Sequence, residues 1–211
     1  MTNILIVDDH PIVRRGLQKI LATEPTFVVH EATTAHEALR LIKTLAFDLA
    51  VVDLNLPGMN GIELLKEIKR IAKQTQILVL SVYPEDQFAV RVLRAGASGF
   101  VSKEVAPDDL VTAIKTVLKG GKHIPDQVAD LLLAKLERGG DGPIHEKLSD
   151  REFEILCLFG EGRSIKQIAE KLSLSAPTVS TYRARILNKL DMKNTAELVK
   201  YAIQHKIAKP Q

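Results

Sequence analysis

The sequence predicts two domains of different class: an α/β domain with a five-stranded, doubly wound parallel sheet, then a linker and a small all-α domain of four helices. Three observations carry this. Over residues 1–120, short apolar runs alternate with amphipathic stretches of helical spacing, the pattern of a parallel sheet covered on both faces. Gly120-Gly121 and the run Gly139-Gly140-Asp141-Gly142-Pro143 bracket a change of pattern, as linkers and hinges do. From Leu148 onward only helical segments with start signals follow. The expected domains are therefore 1–120, a linker over 121–146, and 147–211.

The strands are expected at Ile4–Val7, Val28–His30, Leu49–Val52, Ile77–Leu80 and Gly99–Val101. Between them the helices are expected at Ile12–Leu21, Ala35–Leu45, Ile62–Ile71, Gln87–Ala95 and Leu110–Leu118. In the third helix Ile62, Leu65, Ile68 and Ile71 recur every three residues, with Glu63, Lys66, Glu67, Lys69 and Arg70 on the other side. Pro125 opens a further helical stretch to about Arg138 within the linker. In the tail, Ser149 or Asp150 precedes Glu152–Phe159, with Gly160 and Gly162 at its end. Ser164 precedes Ile165–Leu172, Ser175 precedes Pro177–Leu190, and Asn194 precedes Ala196–His205. Pro177 suits a first helical turn, where its missing N–H is not needed.

Composition narrows the function classes. No apolar stretch approaches the roughly 18–20 residues of a membrane span, and no basic region precedes a long apolar run as in a secretory signal. The single Cys157 excludes an internal disulfide framework, and the expected compartment is the reducing cytosol. Cys157 itself, between Leu156 and Leu158, is expected in the core. Aromatics are 4% of residues with no Trp, which argues against a base-stacking platform for single strands or RNA. The net charge of +3 is unevenly spread: residues 1–120 are balanced at 14 Lys/Arg and 14 Asp/Glu, whereas residues 147–211 hold 12 against 7. A polyanion contact is thus expected in the last third.

Ligands of a doubly wound sheet sit outside the carboxyl ends of its strands. Asp8 and Asp9 end the first run, Asp53 the third and Ser81 the fourth, and Lys103 follows the fifth. Taken singly, Asp8-Asp9 ahead of Pro11 also suits a helix cap, and Asp53 a turn; together they point to one pocket. Three carboxylates brought close repel, so one is protonated or a cation sits among them. Oxygen ligands with no Cys or His nearby favour Mg²⁺. A carboxylate beside Mg²⁺ suits a phosphoryl acceptor, with Lys103 neutralising one phosphoryl oxygen and Ser81 donating to another. The six histidines show no ligand spacing, and no zinc site is expected.

The run Ile-Leu-Ile-Val-Asp8-Asp9-His10, the run Asp53-Leu-Asn-Leu-Pro57-Gly58-Met-Asn-Gly61, Ser81, and Ala95-Gly-Ala-Ser-Gly-Phe100-Val-Ser-Lys103 together resemble the receiver domain of two-component response regulators. The resemblance covers residues 1 to about 120. It implies that Asp53 accepts a phosphoryl group from the histidine of a sensor kinase. It also implies that Asp9, Asp53 and the Asn55 carbonyl ligate Mg²⁺ with Asp8 assisting, and that Ser81 and Phe100 form the switch pair. Glu104 stands where such domains often have proline with a cis bond.

In the tail, residues 168–174 and 178–190 read as helix, turn and helix. Val179, Ile186 and Leu190 form one buried stripe of the second helix, with Ser180, Thr181, Ala184, Arg185 and Asn188 outward and Arg183 and Lys189 flanking. Small polar residues near the helix start and basic ones beyond suit a major groove of double-stranded DNA, where hydroxyls and Arg reach base edges and Lys and Arg meet phosphates. Lys166 and Lys193 are expected to add backbone contacts. The stretch from Leu148-Ser-Asp-Arg151-Glu152 through Gly162, Ile168-Ala169, Thr178-Val179, Ile186 and Lys189-Leu190 resembles the LuxR-type helix-turn-helix domain. Carried over, that resemblance makes Lys166, Thr178, Ser180, Thr181, Arg183, Arg185 and Lys189 the DNA-binding residues. Relatives often carry Lys at the place of Ser180 and again near that of Ala184.

With both halves, the chain resembles a NarL/FixJ-type response regulator, a transcription regulator that dimerises when phosphorylated, with RNA polymerase as a further partner. Two other readings stand beside it. An aspartyl-phosphate phosphatase also uses a strand-end Asp, Mg²⁺, Ser and Lys, but it needs an acid two residues after the nucleophile, where this chain has Asn55. Slow self-dephosphorylation, without turnover of external substrates, is the expected limit. In the third reading the receiver is a phosphate-independent scaffold for a DNA-binding regulator.

Overall fold

A computed structural model describes residues 1–81, 85–125, 128–130 and 143–207. It divides into two compact units, Met1–Leu132 and Leu133–Gln211. The first contains β1 (Thr2–Val7), α1 (Pro11–Leu21), β2 (Phe27–Ala32), α2 (Ala35–Thr44), β3 (Leu49–Asp53), α3 (Gly61–Ile71), β4 (Gln76–Ser81), α4 (Glu85–Arg94), β5 (Gly99–Ser102) and α5 (Pro107–Leu118). All the strands pair in parallel, in the order β2-β1-β3-β4-β5. The order reverses between β1 and β3, so the crevice for a ligand lies at the ends of these two strands.

The apolar runs explain this sheet. β1 and β3 lie inside it, and Ile4–Val7 and Leu49–Val52 are buried on both faces, as central parallel strands must be. β2 is an edge strand and extends beyond the expected Val28–His30. Its residues from Phe27 to Glu31 are only half-buried, which weakens the apolar signal that reveals a strand. On one face Ile4, Ile6, Leu49, Val51, Leu78, Leu80 and Val101 pack against Leu17 and Leu21 of α1 and Leu110, Ile114 and Val117 of α5. The opposite edge, β5, is met by the chain leaving α5. His123 N donates to Ser98 O at 3.1 Å, and Phe100 N to His123 O at 3.0 Å. A Cβ on Gly99 would lie 2.8 Å from that same His123 oxygen, so the approach needs glycine.

The second unit contains a 3-10 turn (Ile144–Lys147) and helices α6 (Asp150–Gly160), α7 (Ile165–Leu172), α8 (Ala176–Lys189) and α9 (Thr195–Gln204). α6 packs against α8 and α9, and α7 against α8. Every expected start signal caps its helix: Ser149, Ser164, Ser175 and Asn194 each accept a backbone N–H from the first turn, the first two within capping boxes closed by Glu152 and Gln167. Gly162 follows α6 at φ +79°, and Ser173 caps α7 at φ +52°, the left-handed step that ends a helix sharply. Only Ser173–Ser175 separate α7 from α8, which makes the tight helix-turn-helix. The helix expected over 125–138 lies largely outside the described residues.

Candidate functional site

The carboxyl ends of β1 and β3 bring Asp8 and Asp53 together, each 1% exposed. Lys103, just past β5, reaches both, with Nζ 2.7 Å from Asp8 Oδ2 and 2.7 Å from Asp53 Oδ2. Ser81 ends β4, fully buried, and its carbonyl accepts the Lys103 N–H at 2.9 Å. The Asn55 N–H donates to Asp53 Oδ1 at 3.1 Å. Asp9 is half-buried beside Asp8. The side chains of Asp8, Asp53 and Lys103 therefore converge at the topological reversal of the sheet, with Ser81 and Asn55 joined to them through backbone groups.

The alternative of a simple helix cap does not describe Asp8 and Asp9. The residue at the head of α1 is His10, with no side-chain cap bond, and Asp8 Oδ1 instead accepts the His10 N–H at 2.8 Å. The carboxylate is thereby aimed into the pocket. Arg14, from α1, donates to the Asp8 carbonyl at 2.8 Å and to Glu31 at 3.0 Å, which fixes the end of β1.

Burial is the main influence on Asp53. It pushes the carboxyl above its ordinary range, against the opposing pull of Lys103, while the neighbouring Asp8 adds to the rise. Burial pulls the Lys103 ammonium down, but Asp53 and Asp8 more than offset this and leave it raised. A second cation would relieve the remaining repulsion. Oδ1 of Asn55 is buried with no hydrogen-bond partner, Oδ1 of Asp9 is faced by the His10 ring, and ligand atoms of Asp8, Asp9, His10 and Asp53 lie within 4.8 Å of one another. This donor set fits a hard divalent ion such as Mg²⁺.

One expectation needs correction. A histidine does stand near these oxygens: His10 Nδ1 lies 2.8 Å from Asp9 Oδ1 and 3.2 Å from Asp8 Oδ1. The signal was its place directly after the two acids, which spacing rules for zinc ligands do not register. Phe100 is fully buried in β5, opposite Val79. There is no cis peptide bond among the described residues.

On α8 and at its C-cap, Val179, Ile186 and Leu190 are buried, at 0%, 0% and 4% exposure. Thr181 and Arg185 are exposed, and Thr178 and Ser180 are half-buried. The remaining two expected DNA contacts on this helix are held within the domain. Arg183 Nη1 donates to Thr195 Oγ1 at 3.2 Å, and Lys189 Nζ pairs with the buried Glu152 at 2.7 Å. Pro177, Thr178, Thr181, Tyr182 and Arg185 line one shallow groove, in which Pro177 and Tyr182 were not anticipated. Lys166 is exposed on α7. No described helix is long and apolar enough to cross a membrane.

Residues 4–115 match the response regulator receiver domain, and residues 146–202 match the bacterial regulatory proteins of the luxR family. The chain is 35% identical to the response regulator UvrY of Escherichia coli K12 over 207 residues, 97% of this chain and 95% of that protein. It is 36% identical to the Fimbriae Z protein of Salmonella typhimurium, over 97% of this chain and 98% of the relative. Among solved structures, RcsB from Salmonella enterica serovar Typhimurium, bound to a promoter with the phosphomimetic BeF3⁻, superposes with a TM-score of 0.64 at 33% identity, covering 95% and 97% of the two chains.

Proposed function

The chain belongs to the response regulators of the NarL/FixJ type, with a receiver domain and a LuxR-type DNA-binding domain, and from this premise we propose that Asp53 is its phosphoacceptor. The observation that carries the reading is the convergence of Lys103 on Asp8 and Asp53 at 2.7 Å each. Residues 1–120 are the receiver, 121–146 the linker and 147–211 the DNA-binding domain. The donor is the phosphohistidine of a sensor kinase. An Asp53 carboxylate oxygen attacks its phosphorus, the P–N bond breaks, and the imidazole leaves with the bonding pair. Asp8, Asp9, Asp53 and the Asn55 backbone carbonyl would hold Mg²⁺, which when bound would offset negative charge on the nucleophile and the incoming group.

Lys103 carries the charge-pairing role of the protein's own residues. Its ammonium is already held at the acceptor, and it exchanges a carboxylate partner for a phosphoryl oxygen. Ser81 donates its hydroxyl to a second oxygen. The acyl phosphate brings about −1.5 to −2 charges into the pocket, by analogy with other phospho-residues, and Ser81 and the buried Phe100 repack around it. That shifts the receiver population toward a form that dimerises and frees the helix-turn-helix domain for DNA. A two-fold dimer suits two half-sites one helical turn apart. The regulator works in the cytoplasm and meets RNA polymerase at the promoter. Asn55 stands where a phosphatase needs its acid, so loss of the phosphoryl group is slow self-hydrolysis.

The test measures DNA affinity and oligomeric state with and without beryllofluoride and Mg²⁺, for wild type and Asp53→Asn, at one fixed salt concentration because phosphate contacts make affinity salt-dependent. Tighter binding and dimerisation in the wild type alone is the expected result. Equal binding in all four samples would make the receiver a phosphate-independent scaffold.

A further inference from the structure

We propose that Tyr182 is a positioning residue for Arg185, and that the pair reads a guanine in each half-site of the operator. This rests on α8 being the DNA-reading helix. Of the three cations on α8, Arg183 and Lys189 are engaged by Thr195 and Glu152. Arg185 is exposed, with its Cζ 5.8 Å from the centre of the Tyr182 ring. The two residues are neighbours at i and i+3 on one helical face. Tyr182 is half-buried, so its ring is a fixed platform. A guanidinium resting on an aromatic face gains a cation–π contact and keeps its in-plane N–H donors directed outward. Two parallel donors held in this way match O6 and N7 of guanine in the major groove.

Of the donors on this face, Arg185 is the charged one, beside the neutral Ser180 hydroxyl and Asn188 amide. The hydroxyls of Ser175 and Thr178 lie 2.7 Å apart and bond each other, and Thr181 gives its proton to the Pro177 carbonyl at 3.0 Å. Thr178 and Thr181, with Pro177, line the groove beside Tyr182 and Arg185, a wall of methyl and ring carbons suited to thymine methyl groups. Ser180 and Ala184 add no charge. The charged part of base discrimination by this helix therefore rests on one guanidinium whose orientation depends on one ring.

Full-length protein with beryllofluoride and Mg²⁺ is used to select binding sites from random duplex DNA, and each selected position is then varied in competition assays at fixed salt. Wild type, Arg185→Ala, Tyr182→Phe and Tyr182→Leu are compared, with thermal unfolding confirming that each folds. The expected result is a guanine in each wild-type half-site. Arg185→Ala loses between about fivefold and a hundredfold of the discrimination at that base. Tyr182→Leu loses part of it at the same base only, and Tyr182→Phe retains it. An unchanged guanine preference in Arg185→Ala, or an even loss over all positions in Tyr182→Leu, overturns this inference alone. A wild type that selects no motif overturns both it and the reading of α8 as the DNA-reading helix.

Discussion

A Cβ on Gly61 would stand 2.5 Å from the carbonyl oxygen of Asp53 and 2.5 Å from the Cα of Leu54. The first turn of α3 is thus packed against the backbone that carries Asp53, the proposed phosphoacceptor, held by the Gly61 N–H on Leu54 O at 3.1 Å. Backbone cannot move aside as a flexible side chain would. Gly61→Ala is expected to lose about 1–3 kcal/mol of stability, the usual range for overpacking, and to slow acetyl-phosphate labelling of Asp53 by displacing the end of β3. Urea unfolding and the rate of gain of one phosphoryl mass measure the two effects. Wild-type values for both would show that the junction yields without cost.

Asp53 gives the receiver a distinctive pH response. Its folded pKa is raised, chiefly by burial, so the ionised form costs stability. That cost is absent below the unfolded carboxylate value of about 3.9 and complete above the raised folded value. Asp53→Asn removes the charge and should be the more stable protein at neutral pH, by a margin that disappears as the medium is acidified. Added Mg²⁺ should raise the melting temperature of wild type far more than that of the variant, because a ligand stabilises only the form it binds. A pH-independent difference, or equal Mg²⁺ shifts, would contradict this account.

Local signals made most of the fold legible. Ser149, Ser164, Ser175 and Asn194 cap the helices they precede in sequence, because capping is settled within four residues. Val179, Ile186 and Leu190 share a face by helical geometry alone. The strand-end rule likewise brought Asp8, Asp53, Ser81 and Lys103 to one place. Long side chains were harder to assign. Arg183 follows Val179 by one turn and is drawn to Thr195, while Lys189 finds Glu152, 37 residues away in sequence. Neither partner is marked by spacing. His10 went unassigned because ligand-spacing patterns do not cover a ring that folds back on its own neighbours.

The pairing of Lys189 with Glu152 makes the DNA-binding domain acid-sensitive. Burial pushes the Glu152 carboxyl up, but Lys189 and the Ser149 capping bonds outweigh it and hold the pKa below the ordinary value. The stabilisation is therefore complete above the unfolded value of about 4.3 and is lost as pH falls through the lower folded one. Glu152→Gln keeps a capping-box residue and removes the charge. It should cost about 1 kcal/mol at neutral pH, since Lys189 is partly exposed and screened, and flatten the acid limb of stability measured by hydrogen exchange over residues 148–205. Released from its partner, Lys189 becomes available to a phosphate, so the slope of log affinity against log salt should steepen by about 0.9. An unchanged slope would mean that Lys189 stays away from DNA even when freed.

Lys103 supplies the sharpest test of the pocket's charge balance. Its side chain is 10% exposed and its ammonium bridges Asp8 and Asp53, whose side chains are 2% and 0% exposed. Lys103→Met preserves much of the side-chain volume but leaves two carboxylates facing each other in a buried site. Removing one partner of such a group typically costs about 3–5 kcal/mol, and the lower end is expected here because one carboxyl can take up a proton. The pocket should then depend on an external cation: millimolar Mg²⁺ should restore much of the lost stability in urea unfolding, and more than it adds to wild type. Phosphorylation responds differently, because the cation replaces the charge of Lys103 without replacing its contact to a phosphoryl oxygen. Mg²⁺-loaded Lys103→Met should accordingly accept phosphate at Asp53 yet show a weakened rise in DNA affinity. Full stability without Mg²⁺, or a wild-type gain in affinity on phosphorylation, would show that Lys103 is not the residue that balances and reads this pocket.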